Sequence, residues 1–295
     1  MGSQENFTIG WVCALPEEYN AACAILDEDL EGPETEQGDR NTYFFGRVAN
    51  HRIVITCLPS GRYGLSSATR AAKDMMRSFP HLRFLLLVGT AGGAPTAERD
   101  IRLGDVVYDH GKLVGGELQR TGHMNSPPLV LLGALMEMRR RHHNPAKFRG
   151  VDEHLKLLSK YPNFQRPEED RLFRSDAKHR GGTDCLSCDM DALVMRPPRT
   201  SGRAFNVFYG TIASANTVMK DAAQRDVYAN DPNTNALCFE MEAAGLMNDF
   251  PCIVIRGISN YSDSHKNDEW RQYAASTAAA YAKELLCLVK PVRGS

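Results

Sequence analysis

The sequence contains no apolar run near the roughly 20 residues that a membrane-spanning helix requires, so no membrane partner is expected. It has no surplus of either charge. Its 35 Lys and Arg against 36 Asp and Glu leave a formal net charge of -1, which gives nucleic acid or an anionic membrane no general electrostatic attraction. The opening residues, Met1-Gly2-Ser3-Gln4-Glu5-Asn6, lack a basic stretch leading into an apolar one, so no signal peptide is expected, and Gly2 alone does not make an acylation site. Internal repeats are absent. Most of the eight cysteines (Cys13, Cys23, Cys57, Cys238, Cys252 and Cys287) sit in apolar runs, as buried reduced thiols of a cytoplasmic protein do. What remains is an ordinary soluble composition, pointing to a small-molecule partner.

One pattern recurs along the 295 residues. An apolar run meets a small or polar elbow, and a helical pattern follows. Thr8 to Cys13 leads into Pro16-Glu17-Glu18 and a helix over Tyr19 to Leu26. Arg52 to Cys57 leads into Ser60-Gly61-Arg62-Tyr63-Gly64 and an Ala-rich helix over Ser66 to Phe79. Phe84 to Val88 leads into Gly89-Thr90-Ala91-Gly92-Gly93. Phe205 to Gly210 leads into Ala213-Ser214-Ala215-Asn216, and Cys252 to Ile255 into a polar loop from Arg256 to Asp263. Continuous apolar strands alternating with helices predict an α/β fold whose sheet is covered on both faces, with ligands gathered at the carboxyl ends of the strands. A final helix over Asp268 to Leu288 carries alanines at helical spacing for close packing on the sheet. The stretch from about Arg139 to Arg203 is rich in charge, Gly and Pro. It reads as an irregular insertion in one domain spanning 1–295, with a helix over Val151 to Lys160 and too few apolar residues for a core of its own. Arg139-Arg140-Arg141-His142-His143 reads as a solvated helix end.

Several clusters have residue types suited to chemistry. Glu240 and Glu242 stand at alternate positions ahead of the strand from Cys252, which brings two acids to one sheet edge; the plain alternative is a pair of first-turn helix acids. The glycine turn Gly89 to Gly93 would form a nest of backbone N–H groups for an anion or a sugar oxygen. Cys185-Leu186-Ser187-Cys188 has metal-like or redox-like spacing. A structural zinc needs four ligands, so His179 and Asp189 would have to complete the set, and the pair is read as structural, with no metal and no cofactor.

The run Glu240-Met241-Glu242-Ala243-Ala244-Gly245, with Arg256-Gly257-Ile258-Ser259-Asn260 beyond it, resembles the ribose- and purine-binding signature of the nucleoside phosphorylase/nucleosidase superfamily. Asp100 to Val107, Arg120-Thr121-Gly122 and Ser262 to Asn267 look like the fungal subgroup, whose domains often head larger ankyrin, TPR or NACHT proteins; the chain would be a stand-alone enzyme or an excised domain. The likeness spans Thr8 to about Gly115 and Phe205 to Val289. It implies a three-layer α/β/α sandwich with a mixed, partly barrelled sheet, and a homo-oligomer (dimer or trimer).

The resemblance also implies roles. Glu242 would bind the ribose hydroxyls with Met241 against the sugar and Glu240 nearby; Thr90, Ala91 and Gly92 would line the sugar and nucleophile side. Asn216 and Val218 would flank the purine. Ile9 to Glu18 is similar to the opening of the methylthioadenosine/adenosylhomocysteine nucleosidases, making Glu18 the activator of water, with Glu17 in reserve. Leu87 stands where phosphorolytic members carry a phosphate-binding arginine, which favours water as nucleophile, although Arg62 could restore a phosphate site. Asn260 stands where nucleosidases carry the aspartic acid that protonates the purine. Asparagine donates a hydrogen bond but no proton. It is a substitution that traps substrate, a natural hydrogen-bonding solution as in mammalian-type purine nucleoside phosphorylases, or a sign that Asp263 acts instead. The reading is a purine nucleoside N-ribohydrolase, with a phosphorylase or a purine nucleotide-binding signalling module as alternatives.

Overall fold

The computed structural model describes residues 7–108, 126–144, 148, 150–199 and 203–291. Arg120-Thr121-Gly122 and the residues before Phe7 lie outside this set. The centre of the fold is four parallel strands: β4 (His51–Cys57), β1 (Ile9–Cys13), β5 (Phe84–Gly93) and β10 (Cys252–Asn260), side by side in that order. Ile9 pairs with Ile53 on one side and Phe84 on the other, and Ile253 pairs with Leu86. Every residue of β1 and β10 is buried, which explains why these strands read as unbroken apolar runs rather than alternating ones.

Antiparallel strands extend the sheet at both edges. β3 (Tyr43–Val48) pairs with β4, and β2 (Glu28–Asp29) with β3. On the other flank β6 (Val106–Tyr108) runs antiparallel to β10, and β7 (Val207–Tyr209) is parallel to β6. β9 (Ala236–Glu240) joins the far end of β5 through Gly92 and Gly93 and pairs with β8 (Thr211–Ser214). The sheet is therefore mixed, and among the described residues it is not closed, since β2 and β7 end its path.

Helices cover both faces. α2 (Leu65–Ser78) packs on β1, where a Cβ on Gly10 would lie 2.6 Å from the sulfur of Met75. α1 (Pro16–Ala24) packs with α6 (Arg271–Leu288), which lies along β5 and β10 and is buried from Tyr273 to Leu286. Its alanines allow that approach. A Cβ on Gly257 of β10 would fall 1.9 Å from the carbonyl oxygen of Ala274, a separation no side chain tolerates.

Two expectations need correction. Gly89 to Gly93 is not a turn: β5 continues through it, and β10 likewise continues from Arg256 to Asn260 instead of opening into a loop at Arg256. The cause is pairing. Arg256 is in register with Gly89, Gly257 with Thr90 and Asn260 with Gly92, so the segment is extended along the ladder and does not fold into a nest, although the Thr90 N–H still faces the Glu18 carboxylate. These glycines serve close approach. A Cβ at Gly89 would sit 2.5 Å from Arg256 Nη1, and one at Gly92 would sit 2.1 Å from Ser262 Oγ.

The insertion contributes α3 (Leu129–His142), which begins before it, and α4 (Gly150–Leu158), which packs on α6. The basic run does end α3, yet it is only partly solvated. His142 Nδ1 lies 2.8 Å from the Tyr209 hydroxyl and Arg141 pairs with Glu284 at 2.9 Å. α5 (Ala222–Asn230) leads towards β9. Further on, Arg199 pairs with the fully buried Asp105, and Arg196 binds Asp170 at 2.9 Å and the Tyr261 hydroxyl at 2.8 Å. No helix among the described residues is long and apolar enough to cross a membrane.

Candidate active site

A cleft with about 960 Å³ of empty space opens over the carboxyl ends of β1, β5 and β10, where an open α/β sheet gathers its ligands. Its walls include Glu18, Thr90, Ala91, Gly92, Met241 and Glu242, with Asn260 and Ser262 at the end of β10.

Glu18 occupies the third position of α1 and is buried. Its Oε2 accepts the N–H groups of Ala14 (2.9 Å) and Leu15 (3.1 Å), the latter being the backward half of a capping box. Oε1 accepts the Thr90 N–H at 2.7 Å and the Thr90 hydroxyl at 3.0 Å. Three of these donors are fixed backbone groups, while the hydroxyl can rotate away. The carboxylate is thus held rigidly with one exchangeable contact.

Glu240 and Glu242 lie close together and differ in what surrounds them. Glu240 accepts from the backbone N–H groups of Glu242 (3.0 Å) and Ala243 (3.0 Å) and from the Arg256 guanidinium. Its carboxylate is turned back onto its own chain, where it fixes the short helical turn Ala243–Gly245. Among the described residues Glu242 has two long contacts, the Gly64 N–H at 3.3 Å and Arg256 Nη2 at 3.5 Å, so it keeps acceptor capacity. Burial pushes its pKa up to about 7, with Glu240 and Glu18 adding to the rise and Arg256 opposing it.

Arg256, 1% exposed, is the counter-ion for this acidic floor. Burial acts to lower its pKa, and the charges of Glu240, Glu242 and Glu18 reverse that and raise it. The sequence reading gave Arg256 no assigned role. Its signal was available: an arginine inside an otherwise apolar strand must find carboxylates.

Asn260 is buried, and its Oδ1 accepts the Ser262 N–H at 3.0 Å while Nδ2 donates to Ser259 Oγ at 3.1 Å. The second amide hydrogen makes no hydrogen bond among the described residues. Ser262, at φ 55°, has a buried hydroxyl without a hydrogen-bond partner among them, and it too lines the cleft. Asp263 is not in the lining. Its carboxylate accepts the His265 N–H at 2.9 Å and faces Arg225 at 3.9 Å. Val218 lines the cleft with Thr217 and Met219, whereas Asn216 stands behind Gly64, where a Cβ would lie 2.3 Å from its Oδ1. Phe239, half-buried, supplies the aromatic wall that Val218 lacks, and Lys266 and Arg271 bring positive charge to the lining. Arg62 is exposed and absent from the lining, and Leu87 is buried in the core.

A Helicobacter pylori 5′-methylthioadenosine/S-adenosylhomocysteine nucleosidase, in a variant with one aspartate replaced by asparagine and 5′-methylthioadenosine in its active site, superposes with a TM-score of 0.61 at 16% identity, covering 97% of this chain and 99% of its own. The nucleosidase of that name from Mycobacterium bovis is 21% identical over 96% of both chains. In fold, the chain is similar to these nucleosidases along nearly its whole length. A nucleotide-binding leucine-rich repeat (NLR)-like protein from the fungus Hyaloscypha variabilis is 40% identical over 97% of the chain and fits the fungal subgroup. The chain spans 30% of that protein's length. No protein-family description matched the sequence. In this nucleosidase-like fold the acids at 18 and 242 share one cleft with Asn260.

Proposed function

We propose that the chain belongs to the nucleoside phosphorylase/nucleosidase superfamily and is an N-glycosyl hydrolase that splits purine nucleosides into free base and ribose. The observation that carries the reading is the convergence of Glu18, Glu242 and Asn260 on one cleft, in three different chemical states. Glu18 is a carboxylate with one displaceable donor. A water that replaces the Thr90 hydroxyl on Oε1 would be aligned by the fixed backbone bonds around it and would pass a proton to the Glu18 carboxylate as it attacks the anomeric carbon, while the purine leaves with the bonding electron pair as an anion that takes its proton from solvent. Glu242, underused by its neighbours, accepts the ribose hydroxyls, contacts that strengthen as positive charge develops on the sugar. Met241 packs against the sugar, and Phe239 and Val218 against the base.

Asn260 lines the cleft with one amide hydrogen unused among the described residues and would hydrogen-bond the departing purine without protonating it. Its buried fit, with both Oδ1 and Nδ2 engaged, supports a hydrogen-bonding residue at home in this site. The asparagine variant of the Helicobacter pylori nucleosidase still holds 5′-methylthioadenosine in its active site, so an asparagine is compatible with nucleoside binding in this fold.

Water is favoured over phosphate as nucleophile, because Leu87 is buried in the core, Arg62 lies outside the cleft and Arg256 is spent on two carboxylates. A homo-oligomer of two or three subunits, in which a neighbour helps close the cleft, belongs to the same proposal. The test is chromatographic detection of free base from adenosine, inosine, guanosine and ATP, with and without inorganic phosphate. ATP is included because Lys266 and Arg271 line the cleft. Base release independent of phosphate supports the proposal, and binding without release from any of the four contradicts it in favour of a sensing module.

A further inference from the structure

We propose that His179, Cys185 and Cys188 bind a zinc ion that rigidifies the insertion where it packs on the chain just beyond β10, at Ser264 and His265. The ligand atoms of these three residues all lie within 4.8 Å of one another, with both cysteines buried. The two thiols come from one tight turn, closed by a 3.2 Å bond from the Cys188 N–H to the Cys185 carbonyl. Two cysteines and one histidine are a zinc donor set, completed by water or a further side chain in a tetrahedral site.

The histidine is arranged as a metal ligand should be. A ligating imidazole hands its other N–H to a backbone carbonyl or carboxylate, which fixes ring and tautomer. Nε2 of His179 lies 2.7 Å from the Asp184 carbonyl oxygen, so it carries the hydrogen. The Nδ1 lone pair accepts the Gly181 N–H at 3.2 Å, a long bond that a metal ion on Nδ1 would replace. A second feature points the same way. His265, 7% exposed, stacks on Phe173 at 3.9 Å and stands with its ring 5.6 Å from that of His179, and its Nδ1 makes no hydrogen bond among the described residues. The fourth donor would be water, or this ring once drawn away from Asp263 Oδ1, which lies 4.0 Å from Nδ1.

The surrounding fold needs such a staple. Phe173, Cys185, Cys188 and Ala192 form a small buried cluster apart from the main core, in a segment whose regular structure is one bridge, Phe173 to Leu193, and a single helical turn. So few apolar groups supply little stabilisation, and segments of this kind are held by metals or disulfides. The cluster also touches the catalytic side of the fold. The His179 N–H donates to Ser264 Oγ at 3.1 Å, and Cys185 Sγ lies 3.9 Å from the His265 carbonyl oxygen. A zinc here would brace the chain just beyond Asn260 and Ser262. Binding is balanced by the loss of the two thiol protons to solvent, with no redox change.

Metal content after purification without added zinc or chelator, together with cobalt(II) titration of the chelator-stripped protein, tests this. The expected result is about one equivalent of zinc per chain, and with cobalt the intense visible bands of a tetrahedral site plus near-ultraviolet thiolate bands. Those bands should weaken in Cys188→Ser and in His179→Ala. Because these variants could fold poorly, the wild-type protein carries a second readout: chelator should lower its melting temperature and zinc restore it, with base release measured separately. Absence of stoichiometric metal and of cobalt bands overturns the proposal, as does a Cys185–Cys188 disulfide in the purified protein.

Discussion

The Arg256 guanidinium binds the Glu240 carboxylate beneath the cleft, both side chains being 1% exposed, and this pair leaves the neighbouring Glu242 available to a ligand. A buried ion pair is costly to break, because removing one partner strands the other charge in a poorly solvating interior. Replacing Arg256 by Met should therefore destabilise the fold by about 3–5 kcal/mol, read as a fall in the denaturant midpoint at unchanged slope. Two stranded carboxylates, Glu240 and Glu242, make the upper part of that range the expected one.

Glu242 sets a pH dependence. Its folded-state pKa is pushed up to about 7, mainly by burial, so at lower pH it is protonated and loses the full charge that strengthens its grip on ribose hydroxyls. The value of kcat/KM for base release should rise as pH increases through about 7 and level off above it. Glu242→Gln should lose roughly 10- to 100-fold in kcat/KM, the weight of hydrogen bonds to a charged group, and should flatten this rise.

Gly89 is the closest approach between the acid that would activate water and the floor that would hold ribose. A Cβ there would lie 2.5 Å from Arg256 Nη1 and 2.6 Å from Glu18 Oε1, two groups fixed by other bonds. Gly89→Ala should cost about 1–3 kcal/mol of stability from overpacking. Activity should fall further than stability explains, because Glu18 must shift. Thermal melting and kinetics on the same sample separate the two effects.

Asn260→Asp restores an ionisable group without changing shape. The new carboxyl can keep the Ser262 N–H as a donor, and when protonated it can pass that proton to the leaving purine. Base release should accelerate by roughly 100- to 10,000-fold, the range of general acid catalysis, with the gain largest at low pH. An unchanged rate would mean that the leaving base is protonated by another group.

Much of the fold was legible because β1, β4, the first half of β5 and β10 are buried on both faces, and that burial writes a continuous apolar run. The ends of β5 and β10 were hidden for the same physical reason in reverse. Gly89, Gly92 and Gly257 imitate turn residues in sequence, while in the structure each makes room for a side chain or backbone on the next element. β6 is three residues long and β3 is mostly half-buried, so neither wrote a run as long as the central strands. In the cleft, Glu18, Glu242 and Asn260 were foreseen through their resemblance to a family signature. Spacing alone could not separate Glu240 from Glu242, since the difference lies in hydrogen bonds to Arg256 and to backbone groups at 242 and 243. Phe239, Ser262 and the Lys266–Arg271 pair enter the cleft through tertiary packing that no local pattern records. Asp263 follows Asn260 by three residues and still points elsewhere, because the chain turns at Ser262 with a positive φ.

The central claim is that Glu18 directs water onto a ribose held by Glu242. Its most direct test is product analysis of a purine nucleoside reaction in excess inorganic phosphate, with the wild-type protein and with Glu18→Ala. The account predicts free base and free ribose in equal amounts from the wild-type protein, no ribose 1-phosphate, and a loss of roughly 100-fold or more in Glu18→Ala. Ribose 1-phosphate as the product, or full activity without Glu18, would contradict it.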